Sequence, residues 1–125
     1  MMKTILTIDD SASIRQMVAL TLTAAGFNVE QAADGAVGLK LATSVRVDAV
    51  LTDLNMPVMN GLEFLKKFRQ HPAGKGIPVI LLTTESDEEL KRQARENGAT
   101  GWIVKPFKQD QLLAVIKMLI RSPPV

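Results

Sequence analysis

The stretch Val47-Asp48-Ala49-Val50-Leu51-Thr52-Asp53-Leu54-Asn55-Met56-Pro57 decides the fold. Val50 and Leu51 lie in a short, nearly continuous apolar run, the pattern of a strand covered on both faces. Asp53 follows where the strand gives out into a loop, and Pro57 with Asn60-Gly61 marks that loop and its turn into the next helix. A carboxylate at the C-terminal end of a parallel strand stands where open α/β sheets build their sites. A lone Asp there is equally an ordinary loop residue. The ends of the other strands separate the two readings.

Going outward, Thr4 to Ile8 is a β-rich run ending on Asp9-Asp10, with Ser11 and Ser13 able to cap a helix that carries Ile14, Met17, Val18 and Leu22 and closes at Gly26. Phe27 to Ala32 reads as a weaker strand. Asp34 then caps a helix with Val37 and Leu41 on its inner face, and Gly38 costs that helix about 1 kcal/mol relative to Ala. Beyond the central strand, Leu62, Leu65 and Phe68 line a third helix that fades at His71-Pro72, and Ala73 to Gly76 reads as a flexible polar connection. Pro78 to Thr83 is the fourth strand. Ser86 with Glu89 fits a capping box for a helix running to about Asn97 and Gly98. Gly101 to Val104 is the fifth strand, followed by Lys105-Pro106. Leu112, Leu113, Ile116, Met118, Leu119 and Ile120 populate a last helix that Ser122-Pro123-Pro124 stops.

These are βα units alternating without repeat or linker, which implies a parallel sheet with helices on both faces. The expected fold is a single doubly wound (βα)5 α/β domain over residues 1–125, with strand order 2-1-3-4-5. The 125 residues suffice for one domain with a real core. The chain has no cysteine and a single histidine, His71, so thiolate and histidine metal centres are excluded. The net charge of +2 gives little support to nucleic-acid binding. No signal peptide or membrane-length apolar run is evident, and a soluble cytoplasmic protein is expected.

The strand ends carry Asp9 and Asp10, Asp53, Thr83 with Thr84, and Lys105. In the 2-1-3-4-5 order the first and third strands are neighbours at the switch point, which gathers the three carboxylates. Two unit charges ~4 Å apart at an effective dielectric of ~20 repel by about 4 kcal/mol, so one acid protonates or a cation sits among them. Oxygen-only ligands with room for water suit Mg²⁺. Lys105 and the Thr83 hydroxyl approaching from the other side suit a phosphoryl group. A carboxylate is itself a competent nucleophile, and Asp53, alone on its strand, is the best placed.

With these residues in place, the chain resembles a response-regulator receiver domain of the stand-alone, CheY-like kind. The match rests on Asp9-Asp10, Asp53 with Pro57 and Gly61, Thr83, and Lys105-Pro106. The resemblance implies that Asp53 takes phosphate from a phosphohistidine on a CheA-like sensor histidine kinase. It implies Mg²⁺ held by Asp9, Asp10, Asp53 and the backbone carbonyl of Asn55, phosphoryl pairing by Lys105, and a cis Lys105–Pro106 bond. Thr83 would be the switch, coupled to Trp102, where Tyr or Phe is more usual. Asn55 and Glu85 occupy the positions that tune phosphoryl lifetime, and both resemble CheY. The output surface would comprise the fourth helix, fifth strand and fifth helix, made basic by Lys91, Arg92, Arg95, Lys108, Lys117 and Arg121 around Trp102. The chain ends after its last helix, so a diffusible, monomeric regulator is expected. It would dock on a partner with acidic residues, such as a flagellar motor switch protein, or on a phosphatase. Dimerisation on phosphorylation is left open.

A phosphorelay intermediate, passing phosphate on to another histidine, is the alternative within signalling. A Mg²⁺-dependent phosphatase of the haloacid-dehalogenase type is the alternative from enzymology. That chemistry wants a second Asp two residues after the nucleophile, where this chain has Asn55.

Overall fold

The computed structural model describes residues 2–84 and 86–120. The expectations for Glu85, Arg121 and Ser122 to Pro124 lie outside the described residues. The strands are β1 (Thr4–Ile8), β2 (Asn28–Ala32), β3 (Ala49–Asp53), β4 (Val79–Thr83) and β5 (Gly101–Val104). They alternate with helices α1 (Ala12–Ala24), α2 (Gly35–Ser44), α3 (Gly61–Gln70), α4 (Glu88–Glu96) and α5 (Gln109–Ile120). The five strands form one parallel sheet in the order β2-β1-β3-β4-β5.

Alternation along each strand feeds two cores. On one face Ile5, Leu51, Ile80, Leu82 and Ile103 pack with Val18 and Leu22 of α1 and Leu112 and Ile116 of α5. On the other, Leu6, Ile8, Val50 and Val79 pack with Phe64, Leu65 and Phe68 of α3. Phe64 and Phe68 stack with ring centres 5.3 Å apart. Burial on both faces explains why β3 and β4 read as unbroken apolar runs.

Several local expectations change. The α2 face turned inward is Gly35, Gly38 and Ala42, while Val37 is exposed. A Cβ on Gly38 would lie 2.3 Å from Ile8 Cδ1, so the glycine is where Ile8 packs, beyond any cost in helix propensity. Phe64 joins Leu65 and Phe68 in the buried stripe of α3, and Leu62 packs half-buried against the same core. The connection after α3 forms a 3-10 turn over Pro72–Gly74 with Gly74 buried. Arg69 closes it, donating to Gly74 O at 2.5 Å and to Gly98 O at 3.1 and 2.7 Å. The cap of α4 is Asp87 instead of Ser86. Its Oδ1 accepts from the amides of Glu89 (2.8 Å) and Leu90 (3.1 Å), and a carboxylate binds such amides more strongly than a hydroxyl. The capping box sits on α3, between Asn60 and Glu63. On α5, Met118 faces outward and Leu112, Ile116 and Ile120 face in.

Candidate functional site

The in-register pairing of β1 with β3 sets Ile8 beside Thr52, so the residues that follow them emerge together at the C-terminal end of the sheet. Asp9, Asp10 and Asp53 each present a carboxylate oxygen, and these oxygens lie within 4.8 Å of one another. Asp9 is almost fully buried and held from every side. Its amide donates to Ala32 O (3.1 Å), its Oδ1 accepts from the Ser11 amide (2.9 Å), and its Oδ2 pairs with Lys105 Nζ (2.8 Å). Asp53 Oδ1 accepts from the Leu54 amide (2.8 Å), and its Oδ2 lies 3.6 Å from Lys105 Nζ. Asp10 is exposed.

Burial is the largest influence on Asp53 and pushes its carboxyl above the ordinary range. Lys105 and the Leu54 amide pull it down, while Asp9 and Asp10 push it up, and the net direction is upward. One lysine does not offset burial and two neighbouring acids. An all-oxygen donor set of this spacing fits Mg²⁺, a hard cation that keeps several waters.

Thr83 is fully buried at the end of β4 and pairs in register with Val104, one residue before Lys105. Trp102 pairs with Leu81, two residues before Thr83, so the Trp and Thr side chains point to the same sheet face. Trp102 is half-buried. The Lys105–Pro106 peptide is cis. Asn55 is exposed in the loop after Asp53. That loop is pinned where the Gly61 amide donates to Leu54 O (2.8 Å), and a Cβ on Gly61 would lie 2.3 Å from Asp53 O. The glycine is thus required by close approach to the site backbone, not by turn geometry.

Of the basic residues expected on the output face, Arg92 pairs with Glu89 and Glu96 and Lys91 with Glu88. Arg95, Lys108 and Lys117 make no ion pair among the described residues. Lys91, Arg95 and Trp102 line a shallow crevice between α4 and β5.

Sequence reasoning missed Arg15, whose Nη1 donates to the main-chain carbonyl of Asp9 at 2.6 Å. The signal was a cation near the N-terminal end of α1, where the helix dipole disfavours positive charge.

No helix among the described residues is long and apolar enough to cross a membrane. The response regulator receiver domain family matches residues 5–117. Response regulator ArlR of Staphylococcus aureus is 37% identical over 123 residues, covering 98% of this chain and 55% of ArlR. The DNA-binding dual master transcriptional regulator RpaA of Synechocystis is 34% identical over 120 residues, covering 96% of this chain and 50% of RpaA. The chain therefore spans about half the length of these curated relatives. Among solved structures, the Vibrio cholerae chemotaxis protein CheY4 superposes with a TM-score of 0.92 at 46% identity, covering 95% of this chain and 99% of CheY4. The receiver domain of the sensor histidine kinase PA1611 from Pseudomonas aeruginosa, with magnesium coordinated in its active site cleft, gives a TM-score of 0.89 at 26% identity, covering 98% of this chain and 100% of that domain. The acid cluster, the sheet order that builds it and these matches agree: the chain belongs to the response regulator receiver domain family of two-component systems.

Proposed function

We propose that Asp53 accepts a phosphoryl group from a phosphohistidine on a sensor histidine kinase, and that the phosphorylated chain binds a partner through the α4–β5–α5 face. The observation that carries this reading is Asp53 itself. One of its oxygens is tied to the Leu54 amide and the other faces Lys105, beside two further carboxylates. The carboxylate oxygen forms the new O–P bond as the P–N bond breaks, and the electron pair stays on the imidazole nitrogen. Asp9, Asp10, Asp53 and the Asn55 carbonyl hold Mg²⁺, which when bound neutralises phosphoryl oxygens. Lys105 donates to a phosphoryl oxygen, and Thr83 closes on it from the end of β4. Asn55 and Glu85 set how long the acyl phosphate lasts before water removes it. Phosphorylation biases an existing equilibrium between two arrangements of the β4–α4 and β5 region.

For the output, we favour a cytoplasmic, CheY-like role in chemotaxis, acting on a flagellar motor switch protein. The likeness to CheY4 across almost all of both chains supports it. Arg95, Lys108 and Lys117 offer charge to an acidic partner. A labelled phosphokinase supplied with Mg²⁺ tests the first step: wild type takes the label and Asp53→Asn does not. The same labelled protein is then given a motor-switch peptide and, separately, a histidine phosphotransfer domain. Tighter peptide binding with the label retained supports the chemotaxis role. Rapid passage of label to the second histidine without peptide binding supports a phosphorelay intermediate.

A further inference from the structure

We infer that Arg15 is a positioning residue for the Mg²⁺ site, acting through the main chain of Asp9. The inference rests on the proposed Mg²⁺ site but assigns a role to a side chain outside the acid cluster. Arg15 lies in the first part of α1, after the Ser11 cap, and reaches back to donate from Nη1 to Asp9 O at 2.6 Å. That carbonyl belongs to the peptide joining Asp9 to Asp10. The rest of Asp9 is already held by Ala32 O, the Ser11 amide and Lys105. Asp10 is the exposed member of the cluster, and the orientation of its carboxylate depends on the peptide plane that precedes it. Arg15 fixes that plane.

The placement of the cation supports the reading. A positive charge near the N-terminal end of a helix opposes the helix dipole, and α1 carries no acidic residue in its first turn. The contact with Asp9 O compensates for that position. Arg15 is half-buried, so its guanidinium is held against the β1–α1 turn instead of extending into solvent.

Charge alone and positioning predict opposite signs. If Arg15 acted only as a cation near the cluster, its removal would tighten Mg²⁺ binding. If it orients Asp10, removal weakens binding. Groups that hold metal ligands from behind typically change metal affinity by about 10- to 100-fold. Arg15→Met is expected at the lower end, about tenfold weaker, because the site is open to water. Arg15→Lys keeps the charge and loses the fork, and is expected to recover only part of the affinity.

The test is calorimetric titration of wild type, Arg15→Met and Arg15→Lys with MgCl₂, alongside thermal unfolding without metal. A merely structural role would lower the melting temperature and leave the Mg²⁺ affinity of the folded protein unchanged. Weaker Mg²⁺ binding by folded Arg15→Met, with partial recovery in Arg15→Lys, supports positioning. Unchanged or tighter binding by Arg15→Met overturns it. If wild type itself binds no Mg²⁺, the underlying metal site fails, an outcome distinct from equal binding by wild type and variant. Should Arg15→Met not fold, the same titration of Arg15→Gln, which retains a shorter donor, decides between the same outcomes.

Discussion

The Lys105 ammonium rests on Asp9, 2.8 Å from Oδ2. It stands 3.6 Å from Asp53 Oδ2, so the lysine leans toward the carboxylate farther from the proposed chemistry. Beside the acid cluster it repels an arriving divalent cation. A +2 and a +1 charge ~6 Å apart in a dielectric of ~80 repel by about 1.4 kcal/mol, a factor of about ten in affinity. Lys105→Met is therefore expected to bind Mg²⁺ up to about tenfold more tightly while accepting phosphate far more slowly. Calorimetry and labelled phosphotransfer check the two halves. The sign is opposite to that expected for Arg15→Met, although both substitutions remove a cation.

Asp53 makes metal-free stability depend on pH. Its carboxyl is raised from 3.8, chiefly by burial, so the folded chain keeps this proton to higher pH than the unfolded chain. Stability then falls as pH rises from the unfolded value through the folded one. Asp53→Asn removes that loss. The variant should melt higher than wild type at neutral pH without metal, and the advantage should vanish below about pH 3.8. Saturating Mg²⁺ should narrow the gap at neutral pH, because it stabilises the ionised acids. Calorimetric melting across this range, with and without Mg²⁺, measures it.

Gly38 and Ile8 should be energetically coupled. A Cβ on Gly38 meets Ile8 Cδ1 at 2.3 Å and Cγ1 at 2.8 Å. Overpacking of this kind costs about 1–3 kcal/mol, and Ile→Ala in a core about 2–5 kcal/mol. Gly38→Ala with Ile8→Ala together should cost less than the sum of the two, by at least about 0.5 kcal/mol. Denaturant unfolding of the cycle reads the coupling. Strict additivity would mean that α2 relaxes away from the sheet.

Val58 carries a backbone φ of +70° in the loop after Asp53, where Met59 N donates to Pro57 O at 2.8 Å. A β-branched residue in that region is strained by about 1–2 kcal/mol. The residue is 81% exposed, so replacing it sacrifices little packing. Val58→Asn should raise stability by about 1 kcal/mol. Equilibrium urea unfolding checks the gain, and an unchanged or lower midpoint would show that the strain is absent.

The strands and the acid cluster were legible because both are written locally. An apolar run followed by a charge marks a buried strand and its end, and Asp9, Asp53 and Lys105 each follow that rule. What escaped depends on distances between elements. Val37 outranks Gly38 in hydrophobicity, yet α2 turns the glycine inward because the helix sits too close to Ile8 for a side chain. Phe64 escapes the pattern because several phases fit a ten-residue amphipathic helix, and only packing on the sheet shows that it is fully buried while Leu62 is half-buried. Ser86 and Asp87 compete as adjacent caps, and one residue of chain direction decides. Arg15 acts on a main-chain carbonyl, a partner with no signature in the side-chain pattern.

Every role proposed for the site depends on Asp53 being the phosphoryl acceptor. Wild type and Asp53→Asn incubated with a small phosphodonor and Mg²⁺, followed by mass-spectrometric mapping of the aspartyl phosphate, test it most directly. The expected result is one phosphoryl group on the peptide containing Asp53, not formed when Mg²⁺ is chelated beforehand and absent from Asp53→Asn. A phosphoryl group on another residue of wild type, or equal incorporation into Asp53→Asn, would contradict it.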